Sequence, residues 1–223
     1  MTINSQGKHF QTLGEEIRSA QDKKITIKNC MGQRYIASGL SGKDITIEGT
    51  PGNALGAYLD GSTITVHGNV QDATGDTMND GAIYVDGQAG DATGYAMRGG
   101  KIFIHGDVGY RAGIHMKEYQ DKIPALVVGG RAGSFLGEYQ AGGIIVILGL
   151  HCVAQVPVGY FCGTGMHGGK IFLRCKTLPD DLPAQVQASQ ATQDDLDEIR
   201  PLVHEFCTAF GEDEDHIMKS SFF

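Results

Sequence analysis

The stretch GQAGDATGYAMRGGKIFIHGDVGYRAG, residues 87–113, carries eight glycines in twenty-seven positions. Two physical needs produce glycine at that density. A bare backbone can cradle a phosphate, or a chain can turn sharply at short, regular intervals. Spacing decides between them. Gly87 and Gly106 lie 19 residues apart, as do Gly94 and Gly113, and the apolar pairs Ile83/Val85 and Ile102/Ile104 precede Gly87 and Gly106 at identical offsets. The segment is two copies of one unit.

The unit continues in both directions. Ile45/Ile47 precede Gly49, and Ile64/Val66 precede Gly68. Leu126/Val128 before Gly129–Gly130 and Ile145/Ile147 before Gly149 are looser copies, with Ile25/Ile27 opening the series and Ile171/Leu173 closing it. Met78, Met97 and Met116 keep the same step, with Leu59 one copy earlier; Ala54, Ala73 and Ala92 do likewise, followed by Ala112 one place late. A 19-residue unit with an apolar–polar–apolar strand, several glycines and no helical face predicts an all-β fold. The expectation is a single-stranded parallel β-helix, a solenoid of about seven or eight coils. Its glycines would be corners, and its Ile, Met and Ala rows buried columns with a step of about 4.8 Å.

The flanks divide the chain. Residues 1–24 form an N-terminal cap with a short helix, marked by Phe10, Leu13 and Ile17 at helical spacing. Residues 25–177 are the repeat, and 178–193 (LPDDLPAQVQASQATQ) a linker. Residues 194–223 are an acidic helical tail in which Leu196, Ile199, Val203, Phe206 and Phe210 share a face, with Pro201 either kinking the helix or marking its true start.

The charge of −8 is unevenly placed: the last 46 residues hold eleven acidic and two basic side chains, leaving the repeat near neutral. No basic stripe for nucleic acid results. No segment has the apolar length of a membrane span, and five scattered cysteines without a C-x-x-C pair fit reduced thiols. A cytoplasmic protein is expected.

Few residues invite chemistry. Gly163-x-Gly165-x-x-Gly168 matches a dinucleotide fingerprint, but it precedes a strand where the fingerprint should follow one and open a helix. Glu48, His67, Asp86 and His105 fall in one outward row, which suits a stack of complementary charges better than a closed metal shell. The Met row suits core packing. Cys152 beside His151 and Cys162 near His167 are the Cys/His neighbours, and no G-x-S-x-G elbow exists. The count breaks twice, by about five residues within 110–125 and about seven within 150–169. Such breaks bulge from one face, so Arg111, His115, Lys117, Glu118, Tyr119, Tyr160 and His167 are candidate interface residues. No catalytic, cofactor-binding or metal-binding residue is assigned.

The runs MRGGKIFIHGDVGYRAG (97–113), VVGGRAGSFLGEYQAGGIIVILG (127–149) and GTGMHGGKIF (163–172) resemble the C-terminal glycine-repeat (GXGXG) domain of the glutamate synthase large subunit. The segment DDLDEIRPLVHEFCTAFGEDEDHIM (194–218) resembles that chain's helical end, and the whole looks like its stand-alone form. The glycine-repeat subunit of formylmethanofuran dehydrogenase belongs to a sister group without such a tail. The resemblance implies a right-handed β-helix and a non-catalytic scaffold, active only as a subunit of an oxidoreductase complex in glutamate biosynthesis. Its partners would be a glutamine amidotransferase and an FMN-dependent synthase subunit, with FMN and the iron–sulfur cluster held by those partners. Two alternatives stay open: a scaffold for a formylmethanofuran dehydrogenase or formyltransferase/hydrolase complex, and an autonomous metal-binding protein or enzyme. Self-association also stays open.

Overall fold

The structure, a computed structural model, describes residues 1–150, 152 and 156–223. Nine strands carry the chain: β1 (Thr2–Asn4), β2 (Lys24–Met31), β3 (Asp44–Thr50), β4 (Asp60–His67), β5 (Asp80–Val85), β6 (Lys101–Ile104), β7 (Ala125–Val128), β8 (Ala141–Ile147) and β9 (Gly168–Leu173). They form one parallel sheet in sequence order, β1 to β9. Three helices accompany it: α1 (Phe10–Ser19), α2 (Gln193–Phe210) and α3 (Glu214–Met218). At a strand spacing of about 4.8 Å, nine strands extend about 38 Å.

The repeat is visible in the register. Ile45 pairs with Ile64, Ile64 with Ile83 and Ile83 with Ile102, while Ile102 pairs with Leu126 and Ile145 with Ile171 across the two insertions. Between strands the chain makes stacked turns whose backbone groups bond from one repeat to the next, as in Gly75 N–H to Leu55 C=O at 2.8 Å and Gly94 N–H to Thr74 C=O at 2.8 Å. Side chains strengthen these corners: Asp72 Oδ1 accepts from Asp91 N and Asp91 Oδ1 from Tyr110 N. Gly75, with φ +71°, shows why glycine is needed there, because a Cβ would run into Ile102 Cδ1.

The expectation of an all-β right-handed β-helix is corrected by this architecture. The chain forms a single nine-stranded parallel sheet with helices, an α/β arrangement. Two physical reasons account for the difference. Only the short apolar tract of each repeat pairs as strand; the glycine-rich remainder holds left-handed residues that make turns. Moreover, the strands of the second half are apolar on both faces, as parallel strands buried on both sides must be. One face packs Ile64, Ile83, Ile102, Leu126 and Ile145 against the turn residues Met78, Met97 and Met116. The other packs Phe103, Val127, Val146 and Phe172 against Ile199, Val203 and Phe206 of α2.

Helix α2 starts on a capping box formed by Thr192 and Asp195, and ends at Gly211 in the left-handed conformation. Pro201 lies inside it, so it does not mark the helix start. The helix runs against the strand order. Lys170 on β9 meets Asp195 at 3.2 Å and Glu198 at 2.6 Å, whereas Tyr84 on β5 and Lys101 on β6 reach Glu205 at 2.7 and 2.6 Å. At the opposite end of the sheet, α1 buries Leu13 and Ile17. After α3, Phe223 exchanges backbone hydrogen bonds with Leu173 at 2.8 and 3.0 Å, covering the end of β9.

Candidate interaction surface

The turns repeat two left-handed positions four residues apart, both non-glycine in five of them and the second a glycine after Tyr35 and Phe161. The first runs Tyr35, Ala54, Ala73, Ala92, Arg111, Phe135, Phe161; the second includes Tyr58, Thr77, Ala96, His115 and Tyr139. Backbone bonds hold both rows in step, as in Ala92 N–H to Tyr110 C=O and His115 N–H to Glu138 C=O. An L-residue in this conformation costs about 1–2 kcal/mol against glycine. Bulky residues kept there need a gain elsewhere.

In the last three repeats that gain includes side-chain stacking. Arg111 lies over the Phe135 ring at 5.4 Å and pairs with Glu138 at 3.3 Å. Phe135 stacks on Phe161 at 5.0 Å, and His115 stacks on Tyr139 at 5.3 Å with Tyr95 edge-on to it at 5.8 Å. Tyr110 and Tyr160 flank them, Tyr160 being 70% exposed and Phe161 50%. Such a contiguous face of exposed aromatics with an arginine has interface composition.

The candidate residues named from sequence are distributed over three places. Arg111, His115 and Tyr160 lie on the aromatic face. Lys117 and His167 sit one step past the Met row, bonded through their N–H groups to Met97 and Gln140 carbonyls. Glu118 and Tyr119 serve the first insertion itself: Glu118 Oε1 accepts from Gly143 N at 3.1 Å, and Tyr119 pairs with Lys122, whose ammonium reaches Asp80 at 3.0 Å. That insertion folds back along its neighbours. Sequence reasoning missed Tyr95, Tyr110, Phe135, Tyr139 and Phe161. For Phe135 and Phe161 the signal was the register with Ala54, Ala73 and Ala92, where size jumps from methyl to ring; for Tyr139 it was the register with Ala96 and His115.

The outward Glu48–His67–Asp86–His105 row is divided. Glu48 faces Lys28 at 3.6 Å, His67 and Asp86 pair at 2.7 Å, and His105 turns to Glu212 at 2.8 Å while stacking on Phe210 at 5.0 Å. A cleft of about 850 Å³ lies between His67, Asp86 and the C-terminal half of α2. Its charged groups are already paired: His204 and Arg200 meet Glu214, and Glu205 holds Tyr84 and Lys101. Burial, then the Glu205 hydrogen bond, pushes the Tyr84 phenol up from its ordinary value.

Burial disfavours the thiolate at three cysteines. Burial pushes Cys30 up to about 11, Cys162 to about 12 and Cys207 to about 11, all away from the reactive thiolate. The Cys152–His151 neighbour pair falls partly outside the described residues. Among the described residues, no three His, Cys, Asp or Glu side chains gather as metal ligands. Gly163 and Gly165 take φ +71° and +68° as turn positions, and Gly168 begins β9 rather than a helix. Among the described residues no helix is long and apolar enough to cross a membrane.

A glycine-repeat parallel sheet with stacked turns and a helical tail defines a repeat class of protein. The GXGXG motif family model matches residues 15–222. An uncharacterized protein of Methanocaldococcus jannaschii is 47% identical over 226 residues, covering 96% of this chain and 86% of the relative. This chain belongs to the GXGXG motif family, that of the glycine-repeat domain of the glutamate synthase large subunit, and a glutamate synthase-like role fits it at that coarse level.

Proposed function

We propose that this chain is a non-catalytic scaffold subunit of a split glutamate synthase-like complex, in which glutamine amide nitrogen passes to 2-oxoglutarate. The observation that carries the reading is the aromatic face of the last three repeats, held at strained backbone positions with Phe161 and Tyr160 half or more exposed. Its occupants are the amidotransferase and FMN-dependent synthase subunits, which hold the FMN and the iron–sulfur cluster, in the cytoplasm. The buried thiols and the self-paired charges of the α2 cleft are consistent with chemistry residing on those partners. The packed α2 favours this assignment over a formylmethanofuran-type scaffold, whose resemblance lacks the tail. Co-expression with the amidotransferase and synthase subunits of the same genome is the test. A complex of fixed stoichiometry that turns over glutamine and 2-oxoglutarate is expected. Recovery of this chain alone, or with formyl-transfer subunits, would overturn the assignment.

A further inference from the structure

A second cleft, of about 470 Å³, opens where the chain leaves β9 and α3 passes beside it. Arg174, Lys176, His216 and Lys219 line it, with hydroxyls from Thr177 and Ser221, and no Asp or Glu is among its described lining residues. That composition is anomalous. Lys219 is one of only two Lys or Arg side chains in the last 46 residues, which otherwise hold eleven carboxylates, yet the cleft gathers cations. Among the described residues, Arg174, Lys176 and Lys219 make no ion pair through their side chains, whereas the carboxylates of the α2 cleft are bonded to cations or hydroxyls.

Arg174 is the centre of the anomaly. Its Nη1 donates to the Leu148 carbonyl at 2.9 Å, which fixes the guanidinium. Its Nε is buried with no hydrogen-bond partner among the described residues. An unsatisfied buried donor on a charged group is costly. Burial alone moves the guanidinium below its ordinary value, with no carboxylate acting against that shift. A fixed guanidinium with flexible lysines and hydroxyls around it is the chemistry that binds oxyanions.

The geometry points to a binding site for a small, doubly charged oxyanion in this cleft, with Arg174 as the fixed anchor and Lys176, Lys219 and His216 as closing donors. The site lies apart from the aromatic face and does not depend on the scaffold assignment. Phosphate and dicarboxylates share the required chemistry, and the cleft volume admits either.

Isothermal titration calorimetry of the full chain, at ionic strength held constant with sodium chloride, tests it with inorganic phosphate and with succinate as separate titrants. Saturable binding of either one is expected, and which of them binds names the class. The K176Q/K219Q double variant should weaken it by about tenfold or more. Arg174→Gln should abolish it, but that change also frees the Leu148 carbonyl, so the double lysine variant is decisive. No saturable heat from either anion, or equal binding by the double variant with its melting temperature intact, would overturn the site.

Discussion

Ala54, Ala73 and Ala92 occupy the same turn position as Arg111, Phe135 and Phe161, and all six have φ between 55° and 63°. The backbone is constant along the sheet while the side chain changes from a methyl to a cation and two rings. Ala54, Ala73 and Ala92 are the smallest L-residue that still limits the unfolded chain, while Tyr35, in the first turn of the row, packs against Phe10 of α1 at 5.7 Å. In the second half the position is filled by groups that touch one another and solvent. Identical strain is therefore accepted for two different ends: compact turns in one half, and a presented surface in the other.

The largest expected effect lies on that surface. Replacing Phe135 and Phe161 together by Ala should weaken capture of the partner subunits by roughly a thousandfold, about 4 kcal/mol, if both are anchors. Ala73→Ser in the first half should leave capture unchanged. Surface plasmon resonance against the purified partners reads both, and equal losses would erase the distinction between the halves.

Next comes a change that should not distinguish them. Gly75→Ala and Gly113→Ala each force a Cβ onto an isoleucine, Ile102 and Ile145 respectively, at φ +71° and +65°. Each should cost about 3 kcal/mol. Unequal losses in urea melts would mean that the turns are not equivalent.

A smaller effect runs the other way. Ala92→Gly relieves the left-handed strain and should raise stability by about 1 kcal/mol. Phe135→Gly relieves the same strain but removes contacts to Arg111 and Phe161, so its net should be lower than that of Ala92→Gly. Paired denaturation curves decide the sign of the difference.

The smallest effect concerns the helix that covers only one half. Hydrogen bonds from Thr192, side chain first and then backbone, hold the Asp195 carboxyl down at about 2, with Lys170 adding to the shift. A lowered carboxylate stabilises above its unfolded value of about 3.9, and that contribution disappears as the pH falls towards 2. Asp195→Asn should therefore flatten the loss of α2 helicity between about pH 4 and pH 2 relative to wild type. Unaltered slopes in acid titrations followed by circular dichroism would remove Asp195 from the cap.

Much of this was legible in the residues. The 19-residue step placed the paired isoleucines and the buried Met78, Met97 and Met116 row correctly, because periodicity reports burial directly. The helical spacings of Phe10–Ile17 and Leu196–Phe210 likewise fall in α1 and α2. The fold class was missed because alternation was assumed throughout. Yet the continuous apolar tracts IFI, ALVV and IIVI already indicated strands buried on both faces, needing a covering layer. Contacts made across long sequence separations left no local signal. His105 was expected in a row with Asp86 and instead meets Glu212, 107 residues away. The aromatic face escaped notice because its rings sit inside turns whose glycines drew attention to architecture.

Helix α2 can also be viewed as a gauge. From Asp195 to Glu205 it rises about 15 Å over ten residues, close to the three inter-strand steps, about 14 Å, that separate β6 from β9. Its acidic side chains engage Lys170 near one end and Lys101 and Tyr84 towards the other, so the spacing of those strands is fixed by helix length. Strands β2 to β4 carry no such constraint from Glu205 or Glu198. In evolutionary terms the molecule is extensible from one side only. A whole repeat could be gained or lost before β4 with little effect on what the far end displays, whereas one inserted between β5 and β9 would put the gauge out of register.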